Sequence, residues 1–296
     1  MNPLEKFSIH LEYQARPTPQ DRFRVSRRYA TAALRVTFPA VVLAIVLWTP
    51  FNCPVLAKSG AQTDTKEASA IEPAAIDALN KMGSYLRTLN SFQVKAEITD
   101  DDVTEDGQTI QSSTKVDLVA ARPNRMRFEV TADDEHRFFF FDGKNFTIYG
   151  QLVNYYATVP APPTIAKLID DLTNKYGINL PLVDLFQWGI NDSGIAKIKS
   201  AMDVGPATVE GVTCEQYAFR QENIDWQLWI QLGEFPLPRK LIIRTLNDDA
   251  KPQHSEILTW NLAPSFSEDA FTFVPNSDAR RITIAEGKAA AAENEK

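Results

Sequence analysis

The sequence predicts an α+β fold: one large, curled antiparallel sheet with helices set against it. Three observations carry this. Segments with apolar residues at every second position recur from residue 92 to residue 262, most of them separated by short turn-like stretches. Helical spacing occurs before the first of these segments and again midway between them. Strands and helices do not alternate, which argues against a parallel, doubly wound sheet. A sheet of so many strands must curl, and a curled sheet has a concave face.

The first 57 residues stand apart from this pattern. Residues 1–37 hold seven Lys/Arg against three Asp/Glu, including Arg27-Arg28. The uncharged run FPAVVLAIVLWTPF follows, then Val55-Leu56-Ala57. Basic, apolar, small is the order of a secretory signal peptide with a long basic n-region, cleaved near Ala57. Its apolar core, Phe38 to Trp48, is about half the length that spans a bilayer, and an uncleaved anchor is the alternative reading. General secretory and twin-arginine export both stay open. Residues 58–72, small and polar, read as a linker.

Removing residues 1–57 takes away a net charge of 7 − 3 = +4, so the formal charge moves from −7 to −7 − 4 = −11. An acidic exported chain is a poor partner for nucleic acid or an anionic membrane surface. Cys214 is then the sole cysteine, which excludes an internal disulfide; within VTCEQYAF it reads as a small core residue.

The folded domain is expected over residues 73–284. Pro73 to Leu89 carries Ile76, Leu79, Met82, Leu86 and Leu89 at threes and fours, with Pro73 suited to a first helical turn. Strands are expected at 92–99 and, after an Asp106-Gly107 turn, at 109–121. Others follow at 124–131, 137–141 and, past the Asp142-Gly143 turn, at 145–149 and 153–159. A helical insert interrupts. In PTIAKLIDDLTNKYG, Ile165, Leu168, Ile169 and Leu172 form one stripe that ends at Gly177, and LPLVDLFQW adds a short, very apolar piece. Strands resume at 196–204, 212–221, 224–232, 237–246 and 255–262, with 271–274 as a last edge strand. Residues 285–296, AEGKAAAAENEK, read as a disordered tail.

Catalytic and metal-binding patterns are missing from the sequence. The exported part has His136 and His254, neither with a histidine or cysteine at ligand spacing. It has no G-x-S-x-G, H-E-x-x-H or phosphate-cradling glycine loop. The run Asp100-Asp101-Asp102 with Glu105-Asp106-Gly107 fails as a calcium loop, because Ser113 stands where the closing glutamate is needed; it reads as a solvated hairpin loop. No catalytic residue, metal or cofactor is expected, and the sequence reads as that of a non-enzyme.

Several strands are apolar on both faces. Phe138 to Phe141 present rings up and down; Trp226, Leu228, Ile230 and Leu232 oppose Trp229; Leu241 and Ile243 oppose Ile242. Two readings stand. Either the sheet is buried on both sides, or its concave face is an apolar pocket with helices across the mouth.

The stretch VDLVAARPNRMRFEV places Val116, Leu118, Ala120, Met126, Phe128 and Val130 on one face, with Arg122 sharing their parity. Together with FDGKNFTIYG and AFTFVPNSD, its ARPNRMRFEV resembles the periplasmic outer-membrane lipoprotein carrier family, LolA. NYYATVPAP and QLWIQLGEFPLPRKL resemble a predicted periplasmic family of unknown function within that superfold. The resemblance implies an unclosed half-barrel lidded by helices and holding acyl chains. It implies lining by Leu118, Arg122, Met126, Phe128, Trp226, Leu228, Ile230, Leu241 and Ile243, under a lid of Ile165, Leu168, Ile169 and Leu172. Arg122 would then latch the lid by hydrogen bonds to helix-end carbonyls, the alternative being a bulge that swings it into solvent. The implied role is noncovalent binding or carriage of a lipid or acylated protein, in exchange with a membrane-associated donor or acceptor. The rival role is an interaction or sensor module with a filled core.

Overall fold

The computed structural model describes residues 70–188 and 194–284. The predicted signal peptide, the linker up to residue 69 and the acidic tail lie outside the described residues. The chain opens with helix α1 (Pro73–Thr88). Proline at the first helical position costs nothing, since its missing N–H has no intrahelical partner there. Ala75, Leu79, Met82 and Leu86 form its buried stripe.

Twelve strands then build one sheet. They are β1 (Ser91–Val103), β2 (Thr109–Ala121), β3 (Arg125–Ala132), β4 (Glu135–Phe141), β5 (Asn145–Gly150), β6 (Tyr155–Pro160), β7 (Ser200–Val209), β8 (Val212–Arg220), β9 (Ile224–Gln231), β10 (Pro238–Thr245), β11 (Gln253–Asn261) and β12 (Arg280–Arg281). Their order across the sheet is β12-β6-β5-β4-β3-β2-β1-β11-β10-β9-β8-β7. All neighbours are antiparallel except the short β12–β6 pair. The sheet does not close, so β7 and β12 remain its rims. Between β6 and β7 lie helix α2 (Ile165–Tyr176) and the short helix α3 (Asp184–Gln187).

Strict alternation sets the two faces. On β1, Phe92, Val94, Ala96 and Ile98 are buried; on β2, Val116, Leu118 and Ala120; on β3, Met126, Phe128 and Val130. Both helices of the insert and α1 pack against this face, and all of these residues belong to one continuous cluster. The opposite, convex face carries Gln93, Lys95 and Asp117, with Gln93 Nε2 donating to Asp117 Oδ1 at 2.8 Å. Two apolar islands interrupt it. Cys214 is fully buried with Val209 and Trp229. Phe138, Phe140, Tyr149 and Tyr156 form the other, and Phe273 lies over it with its ring centroid 5.0–5.5 Å from those of Phe140, Tyr149 and Tyr156. Strands apolar on both sides therefore arise from two different causes: helices inside, local clusters outside.

Several expectations need correction. Residues 271–274 are not a strand. Glu268–Phe271 is a 3₁₀ turn, and the chain passes on to make its edge pairing at Arg280–Arg281 with Tyr155 and Tyr156. Phe271 and Phe273 are spent on packing rather than pairing. Residues 195–197 form a 3₁₀ turn before β7. Leu232 falls just beyond β9 and is 47% exposed, off the face it was expected to share. At the β7 rim, Ile71 bridges to Ala201, Glu72 N donates to Ala201 O at 2.9 Å, and Ala201 N donates to Ala70 O at 2.9 Å. The ordered pairing thus begins before α1.

The Arg-Pro-Asn and Asp-Gly-Lys motifs meet in space. Residues 122–124 are the turn joining β2 to β3, with a cis Arg122–Pro123 bond. Residues 142–144 are the turn from β4 to β5, where Asp142 Oδ1 accepts from the backbone N–H of Lys144 and Asn145 at 2.8 and 2.7 Å. Gly143 has φ +91, and a Cβ there would lie 2.6 Å from Asn124 Nδ2. Glycine is required twice over, by conformation and by space. Gly143→Ala should lower stability by about 1–3 kcal/mol. Adding Asn124→Ala should recover part of that, since the contact is relieved while the backbone strain remains. Thermal or urea unfolding of the single and double variants checks both.

Candidate functional site

The concave face gathers the residues singled out from the sequence. Leu118, Met126, Phe128, Trp226, Leu228, Ile230, Leu241 and Ile243 are each 8% exposed or less and join one cluster. They arrive as two groups. Leu118 stands opposite Phe128 on β2–β3, while Trp226 opposes Ile243 and Leu228 opposes Leu241 on β9–β10. Between the groups, β1 and β11 supply Val94, Ala96, Ile98 and Leu258. Those central strands were not among the predicted lining, although their alternation was readable.

The insert covers this face. Thr164 caps α2 by accepting from Lys167 N, and Gly177 ends it in the left-handed region at φ 64. Ile165, Leu168, Ile169 and Leu172 are its buried underside, in the same cluster as the strand residues. The insert is tied to the sheet's turns: Ile165 N donates to Pro123 O at 2.9 Å, and Ala161 N donates to Lys144 O at 2.8 Å. The motif turns therefore hold the start of the insert.

Arg122 faces the lid, but by a different contact from the one expected. Its guanidinium carbon lies 5.2 Å over the ring of Phe186 in α3. Its Nε is buried without a hydrogen-bond partner. The backbone explains the placement: Arg122 N donates to Asn90 O at 2.7 Å, closing the turn and leaving the side chain half-buried against the insert. Burial pulls its pKa below the ordinary value. Among the described residues, its contact with the insert is an aromatic face rather than the expected helix-end carbonyls.

A group that the sequence did not reveal sits toward the other end of the same face. His254 Nδ1 lies 2.6 Å from Asp100 Oδ1, and its Nε2 lies 3.0 Å from Glu256 Oε1. Asp100 was expected in a solvated hairpin loop. Instead β1 runs on to Val103, and Asp100 is only 4% exposed, opposite His254 in the register. Asp184, the first residue of α3, brings a third carboxylate toward Glu256 and His254. The signal was parity: Asp100 continues the Val94-Ala96-Ile98 series, and His254 and Glu256 continue Leu258 and Trp260. A helix-borne partner such as Asp184 leaves no such trace.

Burial alone would depress the His254 pKa, yet the bonds to Asp100 and Glu256 outweigh it and push it up to about 10. Burial, then the nearby Glu256 charge, pushes Asp184 up to about 7, with His254 opposing. The site can therefore hold an imidazolium between two carboxylates, beside a third carboxyl that exchanges its proton around neutrality. Among the described residues, no group of three or more His, Cys, Asp or Glu is arranged to hold a metal ion.

The protein is of the α+β class, an open, curled antiparallel sheet with helices lodged on its inner face. Within that class the particular family is identifiable: a family model described as a predicted periplasmic protein, DUF2092, matches residues 75–285, and the chain belongs to that family. No curated protein matches. Among solved structures, the Mycobacterium tuberculosis lipoprotein LppX is similar at 11% identity and TM-score 0.42, covering 66% of this chain and 98% of that one. A LolA superfamily protein from Nitrosomonas europaea shares 11% identity at TM-score 0.33, over 67% of this chain and 97% of its own. The Pseudomonas aeruginosa MucA/MucB complex matches at 17% identity and TM-score 0.35, over 65% of this chain and 59% of that chain.

The titrating groups give a definite pH dependence. A raised histidine stabilises fully below its ordinary value near 6.5 and loses that contribution as pH climbs through about 10. A raised carboxyl costs stability as pH climbs from the ordinary carboxylate range through about 7. Both act in one direction, so the melting temperature should be higher near about pH 5.5 than near about pH 8.5. Asp184→Asn should flatten the lower part of that slope and raise stability at alkaline pH by about 1–3 kcal/mol. Calorimetry across pH on both proteins checks it.

Proposed function

We propose that this protein is a periplasmic, noncovalent binder or carrier of an acyl chain, lipid or lipoprotein, exported by its N-terminal segment with cleavage near Ala57. One observation carries the reading. Lining residues from β2, β3, β9 and β10 and the underside of α2 converge on a single apolar face, closed by an insert rather than by the sheet itself. A groove of this kind takes an apolar chain when the insert lifts. Burying about twelve methylenes is worth roughly 10 kcal/mol gross. The Arg122–Phe186 contact is worth about 0.5–2 kcal/mol. Lifting the insert also uncovers Ile165, Leu168, Ile169 and Leu172, at about 1.5–3 kcal/mol each, so the closed and ligand-bound states lie close in energy and ligand can shift the balance. The role is binding and hand-off without catalysis, with a membrane-associated donor or acceptor as partner.

A second reading, a non-enzymatic interaction or sensor module with a filled core, is favoured by the near-complete burial of that face in the closed state. Native mass spectrometry with organic extraction, on protein isolated from a periplasm, separates the two. A stoichiometric amphiphile supports the carrier; a bare mass with no uptake of added acyl probes supports the module and sinks the carrier. In the carrier, Arg122→Leu removes the cation that draws Phe186 back onto the sheet turn. Release of a bound fluorescent acyl probe should then slow by about two- to tenfold. Stopped-flow displacement measures this, and an unaltered rate would remove the arginine from the mechanism.

A further inference from the structure

Buried polar atoms without partners are rare in folded proteins, so their distribution is informative. Six such side-chain atoms occur among the described residues. Four of them, Ser112 Oγ, Gln221 Nε2, Trp226 Nε1 and Thr245 Oγ1, fall in two adjacent cross-strand rows of the concave face. In the first row Trp226 pairs with Ile243, Ile243 with His254, His254 with Asp100, and Asp100 with Ser112. In the second, Thr245 stands opposite Ile224, whose carbonyl accepts from Gln221 N. Trp226 is 2% exposed and Gln221 8%. Trp188, at the end of α3, lies with its ring centroid 6.0 Å from that of Trp226, so the lid covers this end as well.

We propose that this polar end of the concave face is the headgroup site of the groove and takes an uncharged, oxygen-bearing head such as a glycerol ester. The proposal rests on the carrier reading above. The unmet atoms state what is missing. An indole N–H only donates, and an amide nitrogen only donates, so Trp226 and Gln221 call for acceptor oxygens. The hydroxyls of Ser112 and Thr245 serve an ester or hydroxyl in either sense. The neighbouring charges exclude an anionic head. Asp100, Glu256 and Asp184 surround one imidazole, and both nitrogens of His254 are already bonded to carboxylates. An ammonium head would satisfy the carboxylates but leave both donors unmet. Arg122, the cation in the β2–β3 turn, lies past the Ser91 end of β1, nine residues along that strand from Asp100. Between them Phe92, Val94, Ala96 and Ile98 form an apolar floor along which an extended chain can lie.

Amphiphiles with one common saturated chain and three heads, a monoacylglycerol, the fatty-acid anion and an alkylammonium, test this by titration calorimetry on the exported protein. The monoacylglycerol should bind about tenfold tighter than either charged form. Trp226→Phe combined with Gln221→Leu should collapse that ratio to within about twofold. Thr245→Val, a change of one buried hydroxyl, provides a milder variant expected to narrow the same ratio should the double variant fail to fold. Equal binding of all three heads, or tightest binding of a charged one, overturns the headgroup site and leaves the carrier standing; water then satisfies the donors. Binding of none overturns the carrier, and the headgroup site with it.

Discussion

An unclosed sheet with an apolar inner face has to be covered, and that requirement organises the whole molecule. Each buried Leu, Ile or Phe on that face is worth about 1.5–3 kcal/mol relative to exposure. Most of the strands contribute at least one. A closed barrel would meet the need by wrapping the sheet on itself; here two rims stay apart and helices do the covering. α1 enters ahead of the strands, and the α2–α3 insert enters halfway through them, so the cover comes from two separate stretches of chain. The second stretch begins at two strand turns, through the carbonyls of Pro123 and Lys144. The motif residues on those turns are thus structural fasteners first.

The covered face so made is electrically asymmetric along its length. One end has a half-buried arginine lying on a ring; the other has an imidazole among three carboxylates. The apolar floor between them carries no charge on β1 from Phe92 to Ile98 on its inner side. This separates two contacts of the insert: Phe186 answers to the arginine and Asp184 to the acidic end, with one residue between them in α3.

Alternation makes the sheet legible in the sequence, because burial on one face imposes a period of two that the residues display directly. The helices are legible for the same reason at their own period. What alternation does not show is the reach of a strand into charged territory. Asp100 looks solvated because aspartates follow it, yet its parity is that of Ile98, and the partner that makes its burial tolerable lies on a strand far along the chain. Arg122 shows the converse. Its parity points inward correctly, but what it meets is an aromatic ring in a segment whose path no periodicity specifies. Phe271 and Phe273 look like strand residues since aromatics favour strands; here they pack on the sheet without pairing.

Both rims of the sheet are blunted by chain from distant parts of the sequence. Ile71 bridges to Ala201 on β7, and Arg280–Arg281 pair with β6 after the segment beyond β11 has brought Phe273 onto the convex face. Exposed strand edges are where unfolded or half-folded chains stick to one another. The β6 rim cannot be covered until residue 281 has been synthesised, after every other strand of the sheet is available. Until that pairing forms, β6 presents an open row of backbone groups, and the last two-residue strand is what closes it.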